Sequence, residues 1–348
     1  MELEELEAAD AMFSAVLQRF ARNPRMDRVL DDWASRHYDA ERFERADQIY
    51  RRLVSEYPTS VLSWNARVVL AESTLLAGRP RDARTQFLEV VEAPMAEPRA
   101  VEQSLHQLQN IAQELSDWAE LKRLAEVSQA RFPQGVYRFE AAFALAESEF
   151  MQGELSTARG AFNRLKELKG DREVSIRPWF PKVFIRLADI EVREKRYSDA
   201  EMVVQELADW SPECPLMYQA WEVLGRAQKN QAHFPEARRL FLQAINDRHG
   251  RKTETAARAQ LLLADTHVLE KNYEAALDEY LKVEIGYDFP YWQSAALYHA
   301  GTCQESLRDL TGALKTYTRL IANHPESEFV PRARERLAAL RKTASLDP

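Results

Sequence analysis

His299 and Cys303 stand four residues apart, a spacing that puts both side chains on one face of a helix. Imidazole and thiolate are ligands that zinc accepts, but two ligands do not complete its tetrahedral shell. Packing within a helix is therefore the reading for this pair. Adjacent carboxylates could share acid–base work, and Asp31-Asp32 and Asp278-Glu279 are such pairs. Both sit in charged helical sequence, where a solvated face accounts for them. The chain has no Gly-rich phosphate loop, no His-Glu-x-x-His, no Gly-x-Ser-x-Gly and no Cys-x-x-Cys. Its seven tryptophans divide by position. Trp33, Trp118 and Trp221 fall where helices pack, whereas Trp64, Trp179 and Trp292 precede or open helices and are open to a contact role. The sequence thus predicts no catalytic residues, no metal site and no cofactor: a protein that is not an enzyme.

Composition narrows the classes further. The chain has 348 residues, 45% hydrophobic and 29% charged, with only 10 glycines, a balance that favours folded helical structure. A net charge of −8 argues against binding duplex nucleic acid, which needs a clustered basic face. No 18-residue apolar run exists, so direct membrane insertion is not expected. Cys214 and Cys303 make no disulfide framework, and the acidic start Met1-Glu2-Leu3-Glu4-Glu5 is unlike a secretory signal. The compartment stays open on this reading: cytoplasmic by default, periplasmic if a leader has been removed.

The elements that would position any functional side chain announce themselves by repetition. A small residue, an apolar one four later and another three later recur as Ala46–Tyr50–Leu53, Ala83–Phe87–Val90, Ala158–Phe162–Leu165, Ala200–Val204–Leu207, Ala237–Phe241–Ala244, Ala276–Tyr280–Val283 and Ala313–Tyr317–Leu320. A degenerate copy, Leu121–Ala125–Ser128, fills the one gap, and the spacing runs from 37 to 42 residues. The 4-then-3 spacing aligns all three on one helical face. Twelve residues before the small position in the seven regular copies, a second helix carries a large–small pair such as Trp33-Ala34, Leu70-Ala71 or Leu224-Gly225. Twelve residues after it, Pro58, Pro133, Pro212 and Pro325 end four of the helices. Short polar turns, such as Gln152-Gly153-Glu154, make each pair antiparallel neighbours.

The pattern Trp221, Leu224-Gly225, Gln228, Ala237, Phe241, Ala244 resembles the tetratricopeptide repeat (TPR) consensus, and Leu297 through Pro325 follows it nearly as well. The resemblance covers about residues 27–325. It implies an all-α, right-handed TPR-like superhelical solenoid of antiparallel helix pairs. Residues 1–26 would form a capping or partial-repeat helix, 27–326 about eight repeats, and 327–348 a solvating C-terminal helix and tail. The extra residues beyond the family's usual spacing predict longer inter-repeat loops near 92–100, 167–177 and 247–254. A narrower resemblance, carried by the His-Pro-Glu-Ser and Tyr-Pro-Thr-Ser junctions, is to bacterial cell-envelope TPR proteins of the Tol–Pal-associated and outer-membrane-assembly lipoprotein type.

In this family the first helix of each pair lines a concave groove through its second, fifth, ninth and twelfth positions. The resemblance then places Asn65, Val68, Glu72 and Leu75 in the groove, followed by Glu140, Phe143, Glu147 and Phe150. Lys182, Ile185, Asp189 and Val192 come next, then Gln219, Glu222, Arg226 and Lys229, then Arg258, Leu261, Asp265 and Val268. The expected function is a non-catalytic protein–protein interaction scaffold. Alternatives are a structural component of a bacterial envelope assembly machine and an accessory repeat domain of a larger protein. Acids beside apolar groove residues suggest a partner protein or peptide that is basic and amphipathic, with Phe143 and Phe150 as anchors. The opposing expectation is that the chain's own elements fill the trough. No first helix offers Lys and Asn at its fifth and ninth positions, so the family's carboxylate clamp is not expected.

Overall fold

The computed structural model describes residues 2–20, 23 and 25–344, and among them every regular element is a helix. After α1 (Glu2–Arg19) come eight helix pairs, one for each copy of the sequence repeat. They are α2 (Met26–Asp39) with α3 (Phe43–Glu56), α4 (Val61–Leu76) with α5 (Pro80–Glu92), α6 (Pro98–Glu114) with α7 (Trp118–Arg131), and α8 (Arg138–Met151) with α9 (Leu155–Lys166). A short helix, α10 (Arg172–Ser175), precedes α11 (Phe180–Arg193) with α12 (Tyr197–Trp210) and α13 (Met217–Asn230) with α14 (Phe234–Asn246). Then follow α15 (Glu254–Leu269) with α16 (Tyr273–Gly286), α17 (Pro290–Ser306) with α18 (Leu310–Asn323), and last α19 (Val330–Ala344).

Helix ends follow from local chemistry. Helices α3, α7, α12 and α18 each stop two residues before a proline, as the missing amide and the ring clash require. Asp117, Thr253, Asn272 and Asp309 cap α7, α15, α16 and α18 by accepting a backbone N–H of the first turn. The longer inter-repeat segments lie where the spacing placed them. The first spans 93–97, and the second holds a 3-10 turn (Glu167–Gly170) followed by α10. The third runs from 247 to 253.

The chain divides into two compact units, one up to Leu165 and one from Lys166 on. Each builds its core from the recurring triplets. In the first unit Leu30, Trp33, Ala46, Tyr50 and Leu53 form one cluster, and Phe87, Leu105, Leu108, Leu121 and Ala125 belong to another. In the second unit, Phe241, Tyr280 and Tyr317 each sit in a cluster with the small residue of their own triplet. The large–small pair works as a close-approach device: a Cβ at Gly225 would lie 2.4 Å from the Phe241 ring, and one at Gly301 2.4 Å from Tyr317. Burying such a ring contributes roughly 1.5–3 kcal/mol.

Candidate functional site

Chemistry-bearing residues resolve first. Burial pushes the Cys303 thiol up to about 11, helped by the Asp265 carboxylate, which leaves it protonated and inert. His299 stacks on Tyr280 with ring centroids 5.5 Å apart, and its burial holds its pKa down. Glu279 pairs with Lys282 at 2.7 Å. Burial, then Asp32 and Asp27, push the Asp31 carboxyl up. Among the described residues no group of His, Cys, Asp and Glu could hold a metal ion, and no helix is long and apolar enough to cross a membrane.

The groove positions fare unevenly. Val68, Phe143, Phe150, Ile185, Val192 and Leu261 are buried, and Leu75 and Val268 half-buried. Phe143 and Phe150 were expected to anchor a partner, but they stand 5% and 1% exposed. Both rings meet the edge of Phe162 on the second helix of their own repeat. Their apolar surface is spent on the core, so the anchoring role falls away. Glu147 lies beside them, also buried.

In the second unit, the acidic positions are already neutralised. Asp189 meets Arg226 at 3.0 Å and Arg193 at 3.4 Å. Burial opposes its charge, but Arg226 and Arg193 outweigh that and hold Asp189 below the usual carboxylate range. Glu222, with no exposed surface, lies 3.0 Å from Arg226 and receives a two-pronged contact from Arg258 at 2.9 and 2.8 Å. Lys229 meets Asp265 at 3.3 Å, and the Tyr280 hydroxyl donates to the same carboxylate at 2.6 Å. The ladder therefore runs from α11 through α13 to α15, acid against base. Arg226 and Lys229, which interrupt the acidic row in the sequence, are its counter-ions. A signal for this existed: Asp189 and Arg226 are 37 residues apart, Glu222 and Arg258 36, Lys229 and Asp265 36, each about one repeat period.

The first unit differs. Glu72, half-buried, accepts from the side-chain amides of Gln103 at 2.9 Å and Gln107 at 2.7 Å, both on α6. These partners are neutral, so its charge is held in place but not cancelled. Glu102 accepts the Tyr137 backbone N–H at 2.9 Å. Tyr137 stacks on His106 with centroids 4.2 Å apart. Burial, then Glu72, Glu102 and Glu140, push the Tyr137 hydroxyl up, with Arg99 opposing. Carboxylates from three successive repeats thus gather round one tyrosine. Sequence reasoning named Glu72 and Glu140 but missed Tyr137, which precedes its helix and falls outside the groove register.

Tetratricopeptide-repeat family models match residues 32–98, 223–290 and 295–327. A comparison with curated proteins finds no match. Among solved structures, a tetratricopeptide repeat protein from Parabacteroides merdae is 12% identical with a TM-score of 0.57, covering 80% of this chain and 98% of that one. A monomeric mutant of IFIT1 with m7Gppp-AAAA is 14% identical with a TM-score of 0.54, covering 99% of this chain and 79% of that one. Identities this low speak to the fold alone. Together with the eight helix pairs, these matches show an all-α solenoid built from tetratricopeptide-like repeats. Repeats of this kind generally serve as protein–protein interaction scaffolds. Nothing in the comparisons bears on the narrower likeness to envelope proteins.

Proposed function

We propose that this protein is a non-catalytic scaffold that binds a segment of a partner protein along the first helices of its first unit. The observation that carries this reading is Glu72: a half-buried carboxylate fixed by two amides and met by no cation among the described residues. An oriented, uncancelled charge in partly desolvated surroundings favours a basic group brought to it. Leu75 lies one turn further along the same helical face, and Tyr137 presents an aromatic ring beside Glu140. Acid with apolar surface suits a basic, amphipathic segment. The ion-paired acids on the first helices of the second unit, Asp189, Glu222 and Asp265, give no such pull, so along the first helices the partner's basic residues belong on the first unit.

Photocrosslinking tests the reading. A photoreactive residue placed at Leu75 or Gln103 should capture partner peptides carrying Lys or Arg, while one at the exposed Arg52 of a second helix should not. Capture at Arg52 and not at Leu75 or Gln103 would overturn it.

A further inference from the structure

The fifth repeat carries smaller side chains than most of its neighbours on one helix face, and a groove lies beside it. At the position four after the small residue, six repeats carry Tyr50, Phe87, Phe162, Phe241, Tyr280 and Tyr317, all buried, but the fifth repeat carries Val204. Four residues on, Val54, Val91, Ile245 and Ile321 pack against their clusters in four other repeats, three carry polar residues, and the fifth has Ala208. Both truncations lie on one face of α12. The result is a groove of about 350 Å3 walled by α12 and α14 and floored by α13. Val204, Ala208, Met217, Trp221, Leu224 and Leu240 supply its apolar lining. Trp221 and Leu224 are half-buried there.

We infer that this groove receives an aromatic side chain from a partner protein, on a segment that also carries Lys or Arg. The aromatic follows from what is missing: in six other repeats the position of Val204 carries a buried ring, and the smaller volume here leaves apolar walls with fewer contacts. The basic character follows from the wall. Helix α12 carries Asp199, Glu201, Glu206 and Asp209 and no Lys or Arg. Glu206 is paired with Lys166 and Lys169, and Asp199 lies 3.7 Å from Arg196. Among the described residues Glu201 and Asp209 are met only by the amides of Gln228 and Gln205, so their charges are available at the rim. On the opposite wall Glu236 and Arg239 cancel each other. This site is independent of the Glu72 surface, and either can fail without the other.

Blocked tripeptides titrated into the full chain, followed by backbone amide NMR, test this. Lys-Phe-Lys should shift resonances of α12, α13 and α14 and bind at least fivefold tighter than Glu-Phe-Glu, while Lys-Ala-Lys should leave them unmoved. Ala208→Phe, which fills the groove from within, should abolish the Lys-Phe-Lys response with the helical signal intact. Glu201→Lys, on the exposed rim, should reverse the preference toward Glu-Phe-Glu even if Ala208→Phe misfolds. Equal shifts with Lys-Ala-Lys, shifts confined to other helices, or an Ala208→Phe or Glu201→Lys protein that binds as the parent does would overturn the inference.

Discussion

Glu222 is the wholly buried carboxylate of the second unit's ion-pair ladder. It lies between Arg226 and Arg258. Removing one member of a buried ion network leaves its partners' charges poorly compensated, at a cost of about 3–5 kcal/mol. Both arginines keep some access to water here, so Glu222→Ala should cost about 3 kcal/mol in chemical denaturation. Adding Arg226→Met should recover part of that loss; a strictly additive double variant would contradict the coupling. At the N-terminal end, Asp10 accepts from Trp33 Nε1 at 2.5 Å and contacts His37 Nε2 at 2.7 Å, tying α1 to α2. Burial raises its pKa, but these hydrogen bonds and the attraction of His37 and Arg45 prevail and hold it below the ordinary carboxylate value. A depressed pKa stabilises above the unfolded value, near 3.9, and that contribution fades as pH falls below it. Asp10→Asn should therefore increase proteolysis within α1 at neutral pH, and this excess over the parent should shrink at pH 3.

At the scale of elements, the intra-repeat turns share one backbone solution. Each of the eight contains a single residue with positive φ: Glu41, Gly78, Ser116, Gly153, Lys195, Ala232, Lys271 and Arg308. Only two are glycine, although the left-handed region costs other residues about 1–2 kcal/mol. Ala232, with φ of 60° and no side chain able to bond locally, is the clearest case. Ala232→Gly should raise the stability of the chain by up to about 1 kcal/mol in thermal or denaturant melts. The turns' polar composition was legible in the sequence, but their shared conformation was not, because six of the eight use residues without left-handed preference. The third repeat shows the converse. Its triplet reads as degenerate, yet Leu121 and Ala125 are both fully buried. Large and small have exchanged places, which conserves volume and escapes a pattern written by residue type. The remaining cost is polar: Gln109 stands where the other repeats carry Ala or Gly, 3% exposed with its Nε2 unpartnered. Gln109→Met should raise stability by about 1 kcal/mol, and a loss of stability would contradict the assignment of that amide as a liability.

Across the whole molecule, the helix pairs, their ends and their longer connections could be read from the small–aromatic–apolar triplets and the prolines, because each helix's burial is set by periodicity. The surface that contacts a partner was legible only in part. A groove register states which way a residue faces, but Phe143 and Phe150 face Phe162, and Asp189 and Asp265 face cations from the next or preceding repeat. Those partners are set by side chains one repeat away, which a position-by-position reading passes over. What survives is Glu72 with the carboxylates gathered round Tyr137, and the central claim is that a basic partner segment docks there. The most direct test is the affinity of the photocrosslinked partner for the Glu72→Lys protein, with helical content checked by circular dichroism. Glu72 is half-buried and carries no ion pair, so the substitution should leave the fold intact. The account predicts a loss of at least tenfold, about 1.4 kcal/mol, and an affinity equal to that of the parent protein would contradict it.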